Sequence, residues 1–360
     1  MPIETVLPHG VMEGKGSYNT HAKRLAGGAK LAAPFLEKAV QKLALHPEDR
    51  PLIVADYGSS QGKNSLIPMQ IALRNLQPRV RPNRPILVFH VDQPSNDFNS
   101  FFQVLSSDPD RYARDEPNVF SCAIGRSFYE QVLPSESVHL GWSSFAAVWL
   151  RRIPCLIPGH FFPFFSTGEG RAAFERQAAE DWQAFLSVRA CEMRPGARLI
   201  IVLPGLPEDG SRGFARLLDQ ANAVLIEMVD EGAITTEERS RMALASYPRR
   251  KDELLAPFTK KGCFEGLVLE DCDISTLPDA AWLDYLRDGN EQAMATKQTM
   301  FFRVVFMPSL ASALTRVQEG DAEAQRRFCD RMQDGLTRRL ASHPAASDTL
   351  VQTLVLSKSA

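Results

Sequence analysis

The chain has 360 residues, and its 41 basic and 43 acidic side chains give a formal net charge of −2. This balance provides no strong field for nucleic acid or an anionic membrane surface, and no apolar run approaches the length of a membrane span, so neither partner is expected. The six cysteines are far apart and include no C-x-x-C pair, which favours reduced thiols in a cytoplasmic protein.

The first predicted elements alternate between helix and strand. The segment "KLAAPFLEKAVQKLAL" (30–45) repeats apolar residues at helical spacing, and the following "PLIVADYG" is a short apolar run that ends at a turn. A second helix is predicted to start at Asn64 or Ser65, and "ILVFHVD" is typical of a buried strand ending in Asp92. Strand, glycine turn, helix and strand in this order predict half of a doubly wound parallel sheet.

The alternation continues through the middle of the chain and then weakens. Strands are predicted in "NVFSCAIG", "SVHLGWSS" and "ARLIIVLPG", and a long amphipathic helix, "GRAAFERQAAEDWQAFLSVRACEM", precedes the last of them. After Pro204 we predict a helix in "LLDQANAVLIEMVDEG", a strand in "CFEGLVLEDC" and a further helix in "AEAQRRFCDRMQDGLTRRLAS". The predicted regions are a core with an N-terminal arm (1–205), a helical cap or substrate lid (206–300) and C-terminal helices that complete core and cap (301–360).

The turn in "ADYGSSQGKNSL" (55–66) superficially resembles a phosphate-binding loop. A P-loop needs G-x-x-x-x-G-K-[ST], whereas here only three residues separate Gly58 from "GK", and Asn64 replaces the hydroxyl that would bind magnesium. The dinucleotide pattern G-x-G-x-x-G is also missing. Asp56 before the glycine and Asp92 at the end of the next strand suit a ribose, as in S-adenosylmethionine, which has no pyrophosphate. A loop that merely connects strand to helix is the alternative.

Four further stretches, taken with this turn, resemble the SABATH family of S-adenosylmethionine-dependent methyltransferases. In chain order the matching segments are "GKGSYNTHA", "ADYGSSQGKNSL", "VDQPSNDFNSFF", "GRSFYEQVLPSESVHLGWSSFAAVWLRRIP" and the weaker "EDWQAFLSVRACEMRPGARLIIVLPG" with "MVDEGAIT". The family includes salicylate, benzoate, jasmonate and indoleacetate carboxyl methyltransferases and xanthine N-methyltransferases. The resemblance implies an α/β fold with a class I, Rossmann-like sheet and a mostly helical cap, S-adenosylmethionine as cofactor, a small acid as substrate, and a homodimer.

The resemblance also implies which residues hold the cofactor. Ser17 and Tyr18 would close over it. The methionyl and adenosyl side, the ribose and the adenine would be contacted by Asp56, Gly58 and Asn64, by Asp92 and Gln93, and by Ser127 and Phe128, respectively. A carboxylate on a diol and an aromatic ring on adenine agree chemically with these roles.

On the acceptor side the chain departs from the family. Trp149 is present, and its indole N–H can only donate, which suits a carboxylate. Leu25 stands where carboxyl methyltransferases of the family have a glutamine, and Phe145 replaces a tyrosine. His21 and Lys23 lie in the same segment and could supply a replacement donor, and of these His21 is predicted, with Trp149, as a catalytic residue.

Further residues are expected to shape the acceptor pocket. The resemblance assigns specificity to Val148 and Phe302 and places Tyr18 beside the substrate. In "HFFPFFSTG", two phenylalanines are expected in the core and one or two in the pocket.

The expected reaction needs no general base, since a carboxylic acid with a pKa of about 4 is already ionised at neutral pH. The predicted activity is methylation of a small hydrophobic or aromatic acid to its methyl ester, with no metal. The alternative is N- or O-methylation of a xanthine-like or phenolic compound, which would need a base or a polarising donor, such as His21 or His160.

Overall fold

A computed structural model describes residues 10, 12–45, 51–206, 213–258 and 262–359. Its strands form one mixed sheet, and five of them match the apolar runs predicted in the first 205 residues. The strands are β1 (Leu52–Tyr57), β2 (Ile86–Asp92), β3 (Val119–Gly125), β4 (Val138–Ser144), β5 (Met193–Pro204), β6 (Cys263–Phe264), β7 (Leu267–Leu277) and β8 (Thr349–Lys358).

The sheet order is β3-β2-β1-β4-β5-β8-β7-β6. Strands β1 to β5 are parallel to one another, whereas β8 runs antiparallel to both β5 and β7. The doubly wound parallel arrangement predicted from the sequence is confirmed. It brings the carboxyl ends of β1 to β5 to one edge, where ligands bind in open α/β sheets.

Helices cover both faces of the sheet. They are α1 (Ser17–His21), α2 (Lys23–Gln41), α3 (Leu66–Leu76), α4 (Phe98–Ser107), α5 (Gly168–Glu192), α6 (Gly213–Asp230), α7 (Thr236–Arg241), α8 (Lys251–Leu255), α9 (Ala280–Asp288), α10 (Glu291–Ala311), α11 (Thr315–Gln318) and α12 (Ala322–Ser342). Helix α10 packs against α9 and α12, and α12 packs against α6. No helix in the described ranges is long and apolar enough to cross a membrane.

Strand β1 shows why these runs fold as central strands. Val54 points into a core cluster with Leu36 of α2, while Tyr57 points into the opposite cluster with Phe185 of α5. Because successive side chains alternate between faces and both faces are covered, the strand has to be apolar along its whole length.

Helix α2 begins at Lys23, earlier than the predicted 30. The segment omitted from the prediction contains Gly27 and Gly28, which are poor helix formers. A Cβ at Gly28 would overlap the ring of Phe145, so the glycine allows the helix to approach the loop after β4. Tertiary packing therefore overrides the local preference.

Helix α5 is present as predicted, but its buried face is not purely apolar. Asp181, Arg189 and Glu192 are fully buried there. The description of this helix as amphipathic missed these charged residues.

The C-terminal part contains more strand than was predicted. The single strand expected in "CFEGLVLEDC" is a hairpin of β6 and β7, and β7 continues to Leu277 within the main sheet. Strand β8 was not predicted, although it lies between β5 and β7. The boundaries 1–205, 206–300 and 301–360 stay a prediction, but the second and third regions both contribute strands to the sheet.

Candidate active site

A cavity of about 960 Å³ opens at the carboxyl edge of the parallel strands. Gly58 follows β1, Asp92 ends β2 and Trp149 lies in the loop after β4, and all three line it. Nine residues predicted from the sequence meet in its wall: Tyr18, Leu25, Gly58, Asp92, Gln93, Phe128, Phe145, Val148 and Trp149.

The glycine turn is built to bring backbone close to the cavity. Gly58 has φ +91°, and a Cβ there would overlap the Cβ of Ala146, so any other residue would be strained and would clash. Gln61, further along the turn, donates from Nε2 to the carbonyl of Glu13 at 2.7 Å. Its buried Oε1 has no hydrogen-bond partner in the described part of the chain and leaves an acceptor at the cavity wall.

Asp92 is the acidic group best placed for a ligand. It accepts hydrogen bonds from the backbone N–H of Ser60 at 2.6 Å and of Gln93 at 2.8 Å. Burial raises the pKa of Asp92 to about 6, with a further contribution from Asp56, while the two backbone bonds oppose the shift. Its remaining lone pairs can accept from a bound diol.

Asp56, predicted to line the cofactor site, lies outside the cavity lining. It accepts a hydrogen bond from Ser65 at 2.5 Å, and its Oδ2 lies 2.9 Å from Nδ1 of His90. On the other side of the ring, Nε2 of His90 lies 2.7 Å from the phenol oxygen of Tyr112. This buried chain connects Asp56 to Ser65, at the end of the glycine turn, and to β2. A contact of Asp56 with the cofactor stays a prediction.

Three other predicted cofactor residues also lie outside the lining. Ser17 donates to Glu13 at 3.1 Å, and Ser127 accepts from the backbone N–H of Tyr129 at 3.2 Å. Asn64 lies beside the phenol of Tyr18, whose pKa is raised above its usual range mainly by burial. Asn64 therefore orients a residue of the wall.

His21 and Phe302 are also absent from the cavity lining. His21 ends α1, where partial burial lowers its pKa while Glu13 opposes the shift. Phe302 is fully buried, and α10 instead presents Phe301, Val305 and Phe306 to the cavity. Helical periodicity explains the correction, because residue 302 faces about 100° away from residue 301.

Trp149 is held firmly in the wall. Its segment pairs with Ser246, and the phenol of Tyr129 donates to the carbonyl of Trp149 at 2.7 Å. Arg249, buried and not predicted, donates to the carbonyl of Ala147 at 2.6 Å. No hydrogen-bond partner of the indole N–H is found among the described residues, which leaves this donor available to a ligand.

The four phenylalanines of "HFFPFF" lie in different surroundings. Phe162 and Phe164 line the cavity, Phe161 packs in the core, and Phe165 stacks on His160 with 4.0 Å between ring centroids. This division agrees with the expected split between core and pocket.

A buried charge network behind the cavity was not predicted. Arg189 donates to the carbonyl of Phe128 at 2.8 Å, and its Nε lies 3.0 Å from a carboxylate oxygen of Glu192. Glu192 also accepts from the phenol of Tyr57 at 2.6 Å. The network holds the backbone at Phe128 and the side chain of Tyr57 at the end of β1. The sequence feature that could have predicted it is the presence of charged residues on the inner face of α5.

Arg24, next to Leu25, is another wall residue that the sequence comparison passed over. Its Nη2 donates to the hydroxyl of Thr349 at 2.7 Å, and the guanidinium lies 5.4 Å from the ring of Phe214 and 5.5 Å from that of Phe301. The sequence feature that could have identified Arg24 is its position directly before Leu25, where carboxyl methyltransferases of the family have a glutamine.

No group of three or more metal-ligating side chains occurs within the described ranges. The absence of a metal stays a prediction.

Comparison with known proteins identifies the family. The profile described as SAM dependent carboxyl methyltransferase matches residues 6–358. Methyltransferase LUC1 of Fusarium sp is 31% identical over 242 residues, which cover 66% of this chain and 63% of that protein, less than two thirds of its length. Salicylate carboxymethyltransferase of Clarkia breweri is 27% identical over 304 residues, 81% of each chain.

A solved structure of loganic acid methyltransferase with SAH superposes with a TM-score of 0.74 at 22% identity. It covers 97% of this chain and 99% of that one, which shows the class I methyltransferase fold. The chain therefore belongs to the S-adenosylmethionine-dependent carboxyl methyltransferases, the family that its motifs resemble.

Proposed function

We propose that this protein transfers a methyl group from S-adenosylmethionine to the carboxylate of a small hydrophobic or aromatic acid, forming its methyl ester. The main support is the indole N–H of Trp149, which has no hydrogen-bond partner among the residues that the structure describes and lies in a largely apolar wall. The described lining contains no histidine or cysteine. The indole N–H can only donate a hydrogen bond, which suits an acceptor that is already anionic. Relatives named for salicylate and gibberellic acid agree with such an acceptor.

The residues at the glycine turn fit the cofactor. Asp92 would accept from the ribose hydroxyls, the ring of Phe128 would contact the adenine, and Tyr18 and Gly58 would lie along the methionyl part. When bound, S-adenosylmethionine supplies a methyl group activated by its sulfonium.

The protein's own contribution is to position and desolvate the acceptor. The indole N–H of Trp149 donates to one carboxylate oxygen and so fixes the orientation of the other. Phe162, Phe164 and Phe306 exclude water that would otherwise solvate the carboxylate.

An N–H or phenol acceptor is less well supported. Such a group needs a base, and both histidines considered for that role, His21 and His160, lie outside the cavity lining. Burial also lowers the pKa of His160 to about 4.

Replacing Trp149 with phenylalanine is expected to lower kcat/KM for the acid by roughly 10- to 100-fold, because one hydrogen bond to a charged group is lost. Affinity for S-adenosylhomocysteine, measured by calorimetry, should stay within about twofold because the cofactor contacts are intact. Trp282→Phe is the matched control, since Trp282 packs on Tyr285 away from the cavity. Equal loss of turnover and cofactor affinity would contradict the role of Trp149.

Cofactor affinity should depend on the ionisation of Asp92. Its pKa of about 6 means that protons compete with the ribose hydroxyls as the pH falls through this value. S-adenosylhomocysteine should bind about tenfold more weakly at one pH unit below that pKa than at neutral pH. Calorimetry across this range tests the expectation, and Asp92→Asn should flatten the profile. An equally steep profile in that variant would assign the titration to another group.

We also propose a homodimer in the cytoplasm. All six cysteines are free thiols, which suits a reducing compartment.

A further inference from the structure

Arg24 and Trp149 both line the cavity and are connected by aromatic side chains of its wall. Trp149 packs on Phe306 with 5.9 Å between ring centroids, Phe306 lies 6.0 Å from Phe214, and the guanidinium of Arg24 is 5.4 Å from Phe214. Phe306 and Phe214 thus form a continuous line of ring contacts from Trp149 to Arg24 along the cavity wall. An elongated ligand lying along these rings would meet Trp149 at one end and Arg24 at the other.

The hydrogen-bonding capacity of Arg24 is mostly unused. Thr349 is its single hydrogen-bond acceptor in the described ranges, and its Nε is buried without a partner. No carboxylate lies within salt-bridge distance of it in those ranges. Since an arginine can donate five hydrogen bonds and an unsatisfied buried donor is costly, the guanidinium is suited to a ligand oxygen.

The surroundings decide what kind of oxygen fits. Asp348 precedes Thr349, the residue whose hydroxyl accepts from Arg24 at 2.7 Å. Burial lowers the pKa of Arg24, and the carboxylates of Asp279 and Asp348 oppose this shift. Asp279 already accepts from Ala281, Gln298 and Ser347. Asp348 lines the cavity, and within the described ranges its one hydrogen bond is from the backbone N–H of Asp279, at 2.8 Å. A second carboxylate on the ligand would meet this negative charge, whereas a neutral hydroxyl can accept from Arg24 and donate to Asp348.

Building on the proposed function, we propose that the substrate is an elongated acid whose far end carries a hydroxyl group, and that Arg24 and Asp348 select it. The middle of the acceptor compartment is apolar, with Phe214, Phe301 and Phe306 in its wall. The reacting carboxylate lies at Trp149 and the hydroxyl at Arg24. Arg24 is thus a specificity-determining residue that makes no contact with the reacting atoms.

The test compares three series of unbranched acids: octanoic, decanoic and dodecanoic acids, their ω-hydroxy counterparts, and the dicarboxylic acids of the same lengths. Salicylic acid serves as a short aromatic reference. Methyl transfer is measured as kcat and KM, and binding is measured by calorimetry with S-adenosylhomocysteine present. In at least one length, the ω-hydroxy acid should exceed both counterparts by roughly tenfold in affinity and in kcat/KM, mainly through KM.

Two variants separate recognition from a structural role. Arg24→Met keeps the packing on Phe214 and Phe301 and should abolish the preference for the hydroxyl, while the plain acid and S-adenosylhomocysteine bind within about threefold of their original affinity. Asp348→Asn keeps the acceptor for Asp279 and should shift the preference towards the dicarboxylic acid, because the repelling charge is gone. A uniform loss for all acids in Arg24→Met would mean that Arg24 only holds the fold and would overturn the inference.

The outcomes also distinguish the inference from the proposed function. Methylation of any acid without a preference for the hydroxyl, or with a preference for the dicarboxylic acid, overturns the selection by Arg24 and leaves the proposed function standing. Transfer to none of these acids, including salicylic acid, counts against both.

Discussion

Replacing Asp92 with alanine is expected to weaken the binding of S-adenosylmethionine by roughly 100-fold or more. The carboxylate faces the cavity and has lone pairs left after accepting from Ser60 and Gln93. Each hydrogen bond to a charged group contributes about 1.5 to 3 kcal/mol, and a ribose offers two hydroxyls. Calorimetric titration of S-adenosylhomocysteine into the variant measures the loss.

Asp92→Asn is the conservative comparison. It keeps one acceptor oxygen for the turn and should lose less affinity than the alanine variant. Asp92→Asn should unfold at a temperature close to that of the original chain, whereas Asp92→Ala leaves the backbone N–H groups of Ser60 and Gln93 without their acceptor and should lose about 1 to 3 kcal/mol of stability. Thermal unfolding checks that both variants are folded at the temperature of the titration. If Asp92→Ala binds S-adenosylhomocysteine with unchanged affinity, the ribose site is not at the end of β2.

The largest effect on stability is expected from Glu192→Ala, at about 3 to 5 kcal/mol, because removing one partner of a buried pair leaves an uncompensated charge. Glu192 and Arg189 are fully buried, and Glu192 accepts from the backbone of Val132 at 2.6 Å and of Leu133 at 3.0 Å. The phenol of Tyr57 loses its acceptor as well. Urea unfolding followed by circular dichroism gives the free energy of unfolding.

Glu130→Ala is the matched control for this change. Glu130 pairs with Arg126 at the surface, where both side chains are more than half exposed, and such pairs contribute at most about 1 kcal/mol. Similar losses in the two variants would show that the buried network does not hold this part of the fold. Glu192→Gln, which keeps most of the hydrogen bonds, should lie between them.

Local sequence patterns predicted the elements that depend on local properties. Strands β1 to β5 could be predicted because helices cover both sides of the sheet, and strands buried on both faces consist largely of apolar residues. Strand β8 shows the opposite case. Its pairing with β5, from residue 198 to residue 357, joins segments about 150 residues apart, and no local signal specifies that partner.

The candidate site was predicted only in part, because the direction in which a side chain points and the distance it spans depend on the folded structure. Asp56 lies just before the glycine turn and Asp92 ends the neighbouring strand, but Asp56 is opposite His90 in the pairing of β1 with β2, and its carboxylate lies 2.9 Å from Nδ1 of that histidine. Choosing between the two acids required the register of the strands. Leu25 was predicted to line the substrate site because it stands at the position of the family glutamine. Its neighbour Arg24, which was not predicted, has a longer side chain and donates to Thr349.

The most direct test of the proposed activity is to incubate the protein with methyl-labelled S-adenosylmethionine and a panel of aliphatic and aromatic acids, xanthines and phenols. The products are separated, identified by mass spectrometry and treated with alkali. We predict that the label appears in a methyl ester of an acid, which alkali hydrolyses to labelled methanol. Label found only in alkali-stable N-methyl or phenolic O-methyl products, or in no product although S-adenosylhomocysteine binds, would contradict carboxyl methylation.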